Sequence, residues 1–128
     1  MKQFETLVVK FTKTEYEYFI NLSELTKIPK FSMVELLSNW LQLQLNNNVS
    51  PNLDFSCDFD EQSNPWRKFN VKSVKSVNHQ LREQAKYLNV SRYELVRALI
   101  KKFPELLKSG ELFDFNAIDY NNFKRKDD

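Results

Sequence analysis

At 128 residues with a net charge of +2, the chain suits one compact domain, or two small ones sharing a core, and with 41% of it apolar a real core can form. No apolar run could cross a bilayer, and the start of the sequence lacks the apolar stretch of a signal peptide. A single cysteine, Cys57, excludes an intrachain disulfide and fits a reducing, cytoplasmic setting; a single glycine, Gly110, excludes a glycine-rich phosphate loop.

Residues 5–12, ETLVVKFT, alternate. Leu7, Val9 and Phe11 fall on one face, and Thr6, Val8 and Lys10 on the other, which predicts a short strand with one buried side. Thr12 and Glu15 form a capping box, in which hydroxyl and carboxylate each take an otherwise unpaired amide of the first turn. The helix this opens runs to about Lys27 and carries Tyr16, Phe19, Ile20, Leu22 and Leu25, with Pro29 as its stop. A second box, Ser32 with Glu35, predicts a helix from there to about Leu45, bearing Leu36, Leu37, Trp40 and Leu41. Asn46, Asn47, Asn48 and Pro51 close this first unit, residues 1–45.

Residues 46–65 carry four acids and no base, lack helical period, and read as an acidic linker. Its Leu53, Phe55 and Phe59 imply that it lies against the domain.

A second unit, residues 66–108, repeats the order. Phe69 and Val71 alternate with Lys68, Asn70 and Lys72. The alternation fails at Val74, so a helix capped by Ser73 or Ser76 is expected, with Val77, Leu81, Ala85 and Leu88 inward. Asn89 and Val90 make the turn. Ser91 and Glu94 form a capping box ahead of Leu95, Val96, Leu99, Ile100 and Phe103. Pro104 permits an extension through Leu107, and Gly110 supplies a stop. The box and stripe repeat those at Ser32 after 59 positions, with only Gln44 failing to match Phe103. This unit holds eleven bases against three acids, which favours a polyanionic partner. The tail, residues 109–128, places Leu112, Phe113, Phe115, Ile118, Tyr120 and Phe123 among acids and ends in KRKDD, expected to be disordered.

Catalytic chemistry is not expected. His79 is the sole histidine, Cys57 sits among acids, and Asp54, Asp58, Asp60 and Glu61 lack the glycine and spacing of a calcium loop. Neither a metal nor another cofactor is implied.

The succession strand, helix, turn, capped helix, with a polar outward strand face, resembles the ribbon-helix-helix family of DNA-binding proteins. KFNVKSVKSVNHQLREQAKYLNVSRYELVRALIKKF carries the resemblance well. TLVVKFTKTEYEYFINLSELTKIPKFSMVELLSNWL carries it less well, because Pro29 lengthens the turn between helices. The resemblance covers roughly residues 5–107 and implies a mainly α fold. In it, two units in one chain would form a tandem ribbon-helix-helix pseudodimer, their strands paired in one short two-stranded antiparallel ribbon. The single-chain form looks like plasmid relaxosome accessory proteins. It implies sequence-specific binding of double-stranded DNA, with Thr6, Val8, Lys10, Lys68, Asn70 and Lys72 reading bases from the major groove. Lys30, Ser32, Met33, Ser91, Arg92 and Tyr93, at the starts of the second helices, would hold phosphates. The setting would be a plasmid transfer origin or transcriptional regulation, with a relaxase or other protein as a possible partner. The chain would be monomeric and assemble further on DNA. Two alternatives stand beside this: an antitoxin-like protein whose C-terminal tail binds a partner, and a helix-turn-helix in which the helix from Ser91 enters the groove.

Overall fold

The computed structural model describes residues 3–57 and 59–112. Asp58 and the tail residues Phe113, Phe115, Ile118, Tyr120, Phe123 and KRKDD lie outside them.

Among the described residues, four helices pack with one two-stranded sheet. The elements are β1 (Phe4–Thr12), α1 (Lys13–Thr26), α2 (Lys30–Asn46), β2 (Trp66–Val74), α3 (Lys75–Leu88) and α4 (Arg92–Ser109). Both strands follow from the alternation. Leu7, Val9, Phe11 and Val71 are buried, Phe69 packs against them, and the polar residues between them face away. β1 and β2 pair antiparallel along their whole length, with Val8 opposite Asn70 at the centre.

Two of the expected helix starts hold. Thr12 and Glu15 form their capping box, as do Ser91 and Glu94. The other two do not. Neither Ser73 nor Ser76 caps α3: β2 runs through to Val74, which is the N-cap and offers no side-chain acceptor. Ser73 is fully buried, and its hydroxyl has no hydrogen-bond partner. The Ser32 cap is also absent. α2 starts at Lys30 behind Pro29, so Ser32 sits inside the first turn and is buried. Proline suits that boundary, since it has no N–H to leave unpaired and its φ of −57° is the one its ring prefers.

This shift changes the repeat. β1 at Phe4 maps to β2 at Trp66, α1 at Lys13 to α3 at Lys75, and α2 at Lys30 to α4 at Arg92, each 62 positions on, not 59. The turn between helices is not lengthened in the first unit: Lys27-Ile28-Pro29 and Asn89-Val90-Ser91 correspond residue for residue. Lys27 and Asn89 both take the left-handed conformation (φ 59° and 58°). Phe103 now corresponds to Leu41, both fully buried, and the mismatch with Gln44 disappears.

The two units interlock. α2 packs against β2 and α4 against β1, while α2 and α4 pack on each other over the inner face of the sheet. A buried polar cluster ties α2 to α3: the Ser38 hydroxyl donates to Gln84 Oε1 (2.9 Å), and Gln84 Nε2 donates to the Ser38 carbonyl (2.8 Å). Gln80 Nε2 adds bonds to Ser38 Oγ and Asn39 Oδ1.

Residues between α2 and β2 cross the outside of α4. Leu53 packs on the core. Lys101 holds the Ser56 carbonyl and approaches Asp54 (4.0 Å), and Lys102 donates to the Asn52 carbonyl (3.4 Å). The hydroxyl and amide of Ser56, with Lys101 behind them, hold the Asp54 carboxyl below its ordinary pKa. Nearer β2, Asn64 is buried and accepts from the amide and hydroxyl of Thr14.

The caps carry a direct test. Ser91→Ala should lower stability by about 1 kcal/mol, the usual worth of such a cap. Ser32→Ala has no cap to lose and should leave stability level or slightly raised, since alanine is the better helix former. Denaturant midpoints compare the two; equal losses would contradict the observed helix start.

Candidate nucleic-acid interface

The outer face of the ribbon gathers all six residues expected there. Thr6 stands opposite Lys72, Val8 opposite Asn70, and Lys10 opposite Lys68. Thr6, Lys68, Asn70 and Lys72 are exposed, while Val8 and Lys10 are half-buried. Three lysines within two short strands make this face cationic, and no acid lies among its six residues.

An aromatic ring closes each end of the face. Lys72 Nζ lies 4.3 Å from the centre of the Phe4 ring, and Lys10 Nζ 5.6 Å from that of Trp66. Phe4 and Trp66 are equivalent under the 62-residue repeat, so the two ends are built alike. Phe4 in turn meets Phe31 of α2 edge-on at 5.3 Å. Trp66 carries more: Phe59 stacks on it at 5.3 Å and the Arg97 guanidinium lies 4.5 Å from its centre. Arg97 is itself buried. Its Nη1 donates to the Lys10 carbonyl (3.4 Å), and its Nε lies 3.6 Å from Glu15 Oε2. One buried cation thus fixes the Lys10 backbone, the Trp66 ring and the first turn of α1. Sequence reasoning missed Phe4, Trp66 and Arg97. The first two were legible, since the outward alternation of each strand extends one step back to them.

The start of α2 sits beside the ribbon, where Phe31 meets Phe4, and the first two turns of α4 reach the other end through Arg97. At α4, Ser91 Oγ accepts from the Glu94 amide (3.1 Å) and the Ser91 amide donates to Glu94 Oε1 (3.3 Å). The Arg92 and Tyr93 amides are left without helical acceptors. At α2 the expected positions change. Met33 is fully buried and its amide is bonded to the Pro29 carbonyl (3.0 Å), so Met33 offers no amide and no exposed side chain to a phosphate. The unpaired first-turn amides are those of Lys30, Phe31 and Ser32. A groove of about 360 Å³, lined by Tyr16, Lys30, Phe31, Asn70 and Lys72 among others, joins this helix start to the ribbon face. Amide donors and the positive end of a helix dipole suit an anion there.

The body of α4 is not available as a reading helix. Leu95 through Ile100 are all buried in the core. Among the described residues no group of three or more His, Cys, Asp or Glu could hold a metal ion, and no helix is long and apolar enough to cross a membrane. No family model, curated protein or solved structure matches the chain.

Proposed function

We propose that the chain binds double-stranded DNA as a single-chain tandem ribbon-helix-helix protein. The ribbon lies in the major groove, and the starts of α2 and α4 hold the phosphates on either side. The observation that carries this reading is the paired cationic face: six outward side chains in antiparallel register, with the start of α2 beside one end and the first two turns of α4 reaching the other. The major groove admits a two-stranded ribbon, and there each base pair presents its own pattern of donors and acceptors. Asn70 suits adenine, the lysines suit guanine, and Val8 suits a thymine methyl. Because Val8 faces Asn70 at the centre, the two halves of the site differ, and a palindrome is not required. The burial of α4 disfavours the helix-turn-helix alternative. The antitoxin alternative rests on a tail mostly outside the described residues.

The role is binding, with no catalytic step and no cofactor. The single-chain arrangement favours an accessory protein at a plasmid transfer origin, in the cytoplasm beside a relaxase, over a transcriptional regulator. Selection of a bound site from random duplexes, followed by its location in the genome, tests both levels. Failure to enrich any sequence would refute specific binding.

Two substitutions separate reading from anchoring. Asn70 is exposed, so Asn70→Ala should leave folding nearly unchanged and remove about 1–3 kcal/mol of discrimination at one base pair. Arg92→Ala should weaken all duplexes alike, since its partner is phosphate. Binding of both variants to the selected site and to a scrambled duplex is the measurement. Full discrimination kept by Asn70→Ala and lost by Arg92→Ala would overturn the ribbon reading.

A further inference from the structure

The outward positions of the two strands pair off under the 62-residue repeat as Phe4 with Trp66, Thr6 with Lys68, Val8 with Asn70 and Lys10 with Lys72. The lysine is identical in both units, and the ring is alike in kind. The two positions between them differ. Ring and lysine also meet in the same way at both ends. Lys10 stands opposite Lys68 and Trp66 opposite Thr12, so Trp66 is the diagonal neighbour of Lys10 across the ribbon. Phe4, opposite Val74, is likewise the diagonal neighbour of Lys72, opposite Thr6. A ring and a long side chain can reach each other along that diagonal.

Lys10 Nζ at 5.6 Å and Lys72 Nζ at 4.3 Å are both inside the distance at which a ring face attracts a cation. Lys68 has no such neighbour: its two diagonals are Val8 and Thr12. Its like charge directly opposite Lys10 favours the lean of Lys10 toward Trp66. The rings are held in turn, Phe4 by Phe31 and Trp66 by Phe59 and Arg97. A lysine stem is flexible and loses much of its freedom on binding. A lysine already lying on a fixed ring has lost part of that freedom beforehand, so less is lost when it binds.

We propose that Phe4 and Trp66 are positioning residues, and that the lysines they hold, Lys72 and Lys10, read two guanines on opposite strands of the duplex. This rests on the ribbon reading given under the proposed function. Lysine donates to O6 and N7 of guanine in the major groove. Equivalent residues face each other at the ribbon centre, Val8 against Asn70, so an approximate twofold axis passes there and exchanges the two lysines. A ribbon centred on the local dyad of a duplex therefore brings them to opposite strands. The rows of Lys10 and Lys72 are four residues apart, about 13 Å at the rise of a strand, or roughly three to four base-pair steps. The target is symmetric at two outer G·C pairs and asymmetric between them, where Val8 faces Asn70.

Duplexes selected from random sequence by the full-length chain are the probe. They should carry guanine at both outer positions, one on each strand. Replacing either guanine by 7-deazaguanine removes the N7 acceptor and keeps the base pair, and wild-type binding should fall at least about fivefold. The loss at one guanine should vanish in Lys10→Ala and the loss at the other in Lys72→Ala, while both persist in Lys68→Ala. Phe4 is 40% exposed, so Phe4→Leu should leave thermal unfolding unchanged. It should cut the preference for guanine at the Lys72 position about two- to fivefold, spare the Lys10 position, and be rescued by Phe4→Tyr. A ring that only supported the fold would not single out one base pair. Selected duplexes without the paired guanines would overturn the assignment and leave ribbon binding standing. So would a 7-deazaguanine loss that survives both Lys10→Ala and Lys72→Ala, or a Phe4→Leu variant with its guanine preference intact at both ends. Enrichment of no duplex at all would overturn the ribbon reading along with it.

Discussion

Phe103→Ala should cost about 3–5 kcal/mol of folding stability, the range for deleting a fully buried phenylalanine and leaving a cavity. Phe103 has no exposed surface and holds in α4 the position that Leu41, equally buried, holds in α2. Domains of this size are stable by only ~5–15 kcal/mol, so the loss is a large share of the whole. The interlocked packing gives the loss a particular form. α4 packs on β1 and α2 on β2, so neither unit has its own core to retreat to. Unfolding of wild type and variant should therefore be a single transition by circular dichroism and by tryptophan fluorescence, with Trp40 and Trp66 reporting on different units. Two resolved transitions, or a loss below ~1 kcal/mol, would contradict this account. Phe103→Leu should restore most of the stability, since leucine refills much of the volume.

DNA binding should fall roughly 10²–10³-fold between 50 and 200 mM monovalent salt. That figure follows from counterion release with about four to six phosphates neutralised and a slope near −0.9 per phosphate. Lys30 and Arg92 at the helix starts, and the lysines of the ribbon face, are the cations that can supply those contacts. The chain's overall charge of +2 would not suggest so steep a dependence. The reason for expecting it is local. The eleven bases of residues 66–108 are on the folded unit, and four acids are confined to residues 46–65. There Asp54 is drawn to Lys101 of α4 and away from the ribbon. Titration of the selected duplex at several salt concentrations measures the slope. Removing Lys30 should reduce it by about one, whereas Asn70→Ala, which carries no charge, should leave it unchanged. A binding constant flat across that range would rule out phosphate neutralisation as the source of affinity.

By itself the sequence determined the element types, the two strand faces and the caps at Thr12 and Ser91. Each of these is local: a period of two sets the strand faces, and a hydroxyl three residues ahead of a carboxylate sets the caps. Local signals went wrong at Ser32 for a physical reason. A shift of three residues along a helix comes close to one full turn, so the apolar stripe of α2 matches that of α4 nearly as well at 59 positions as at 62. The Ser-x-x-Glu pattern broke the tie in the wrong direction. Strand pairing and the three-residue turns settle the frame, because a strand admits no such near-repeat: a slip of one residue exposes its buried face. Ser73 shows the same limit, since pairing with β1 carries β2 one residue beyond it, to Val74 opposite Phe4. The tertiary structure alone decided the crossing of α2 onto β2 and of α4 onto β1. It also brought Arg97, Glu15, Lys10 and Trp66 together from four separate elements, at separations no periodicity encodes.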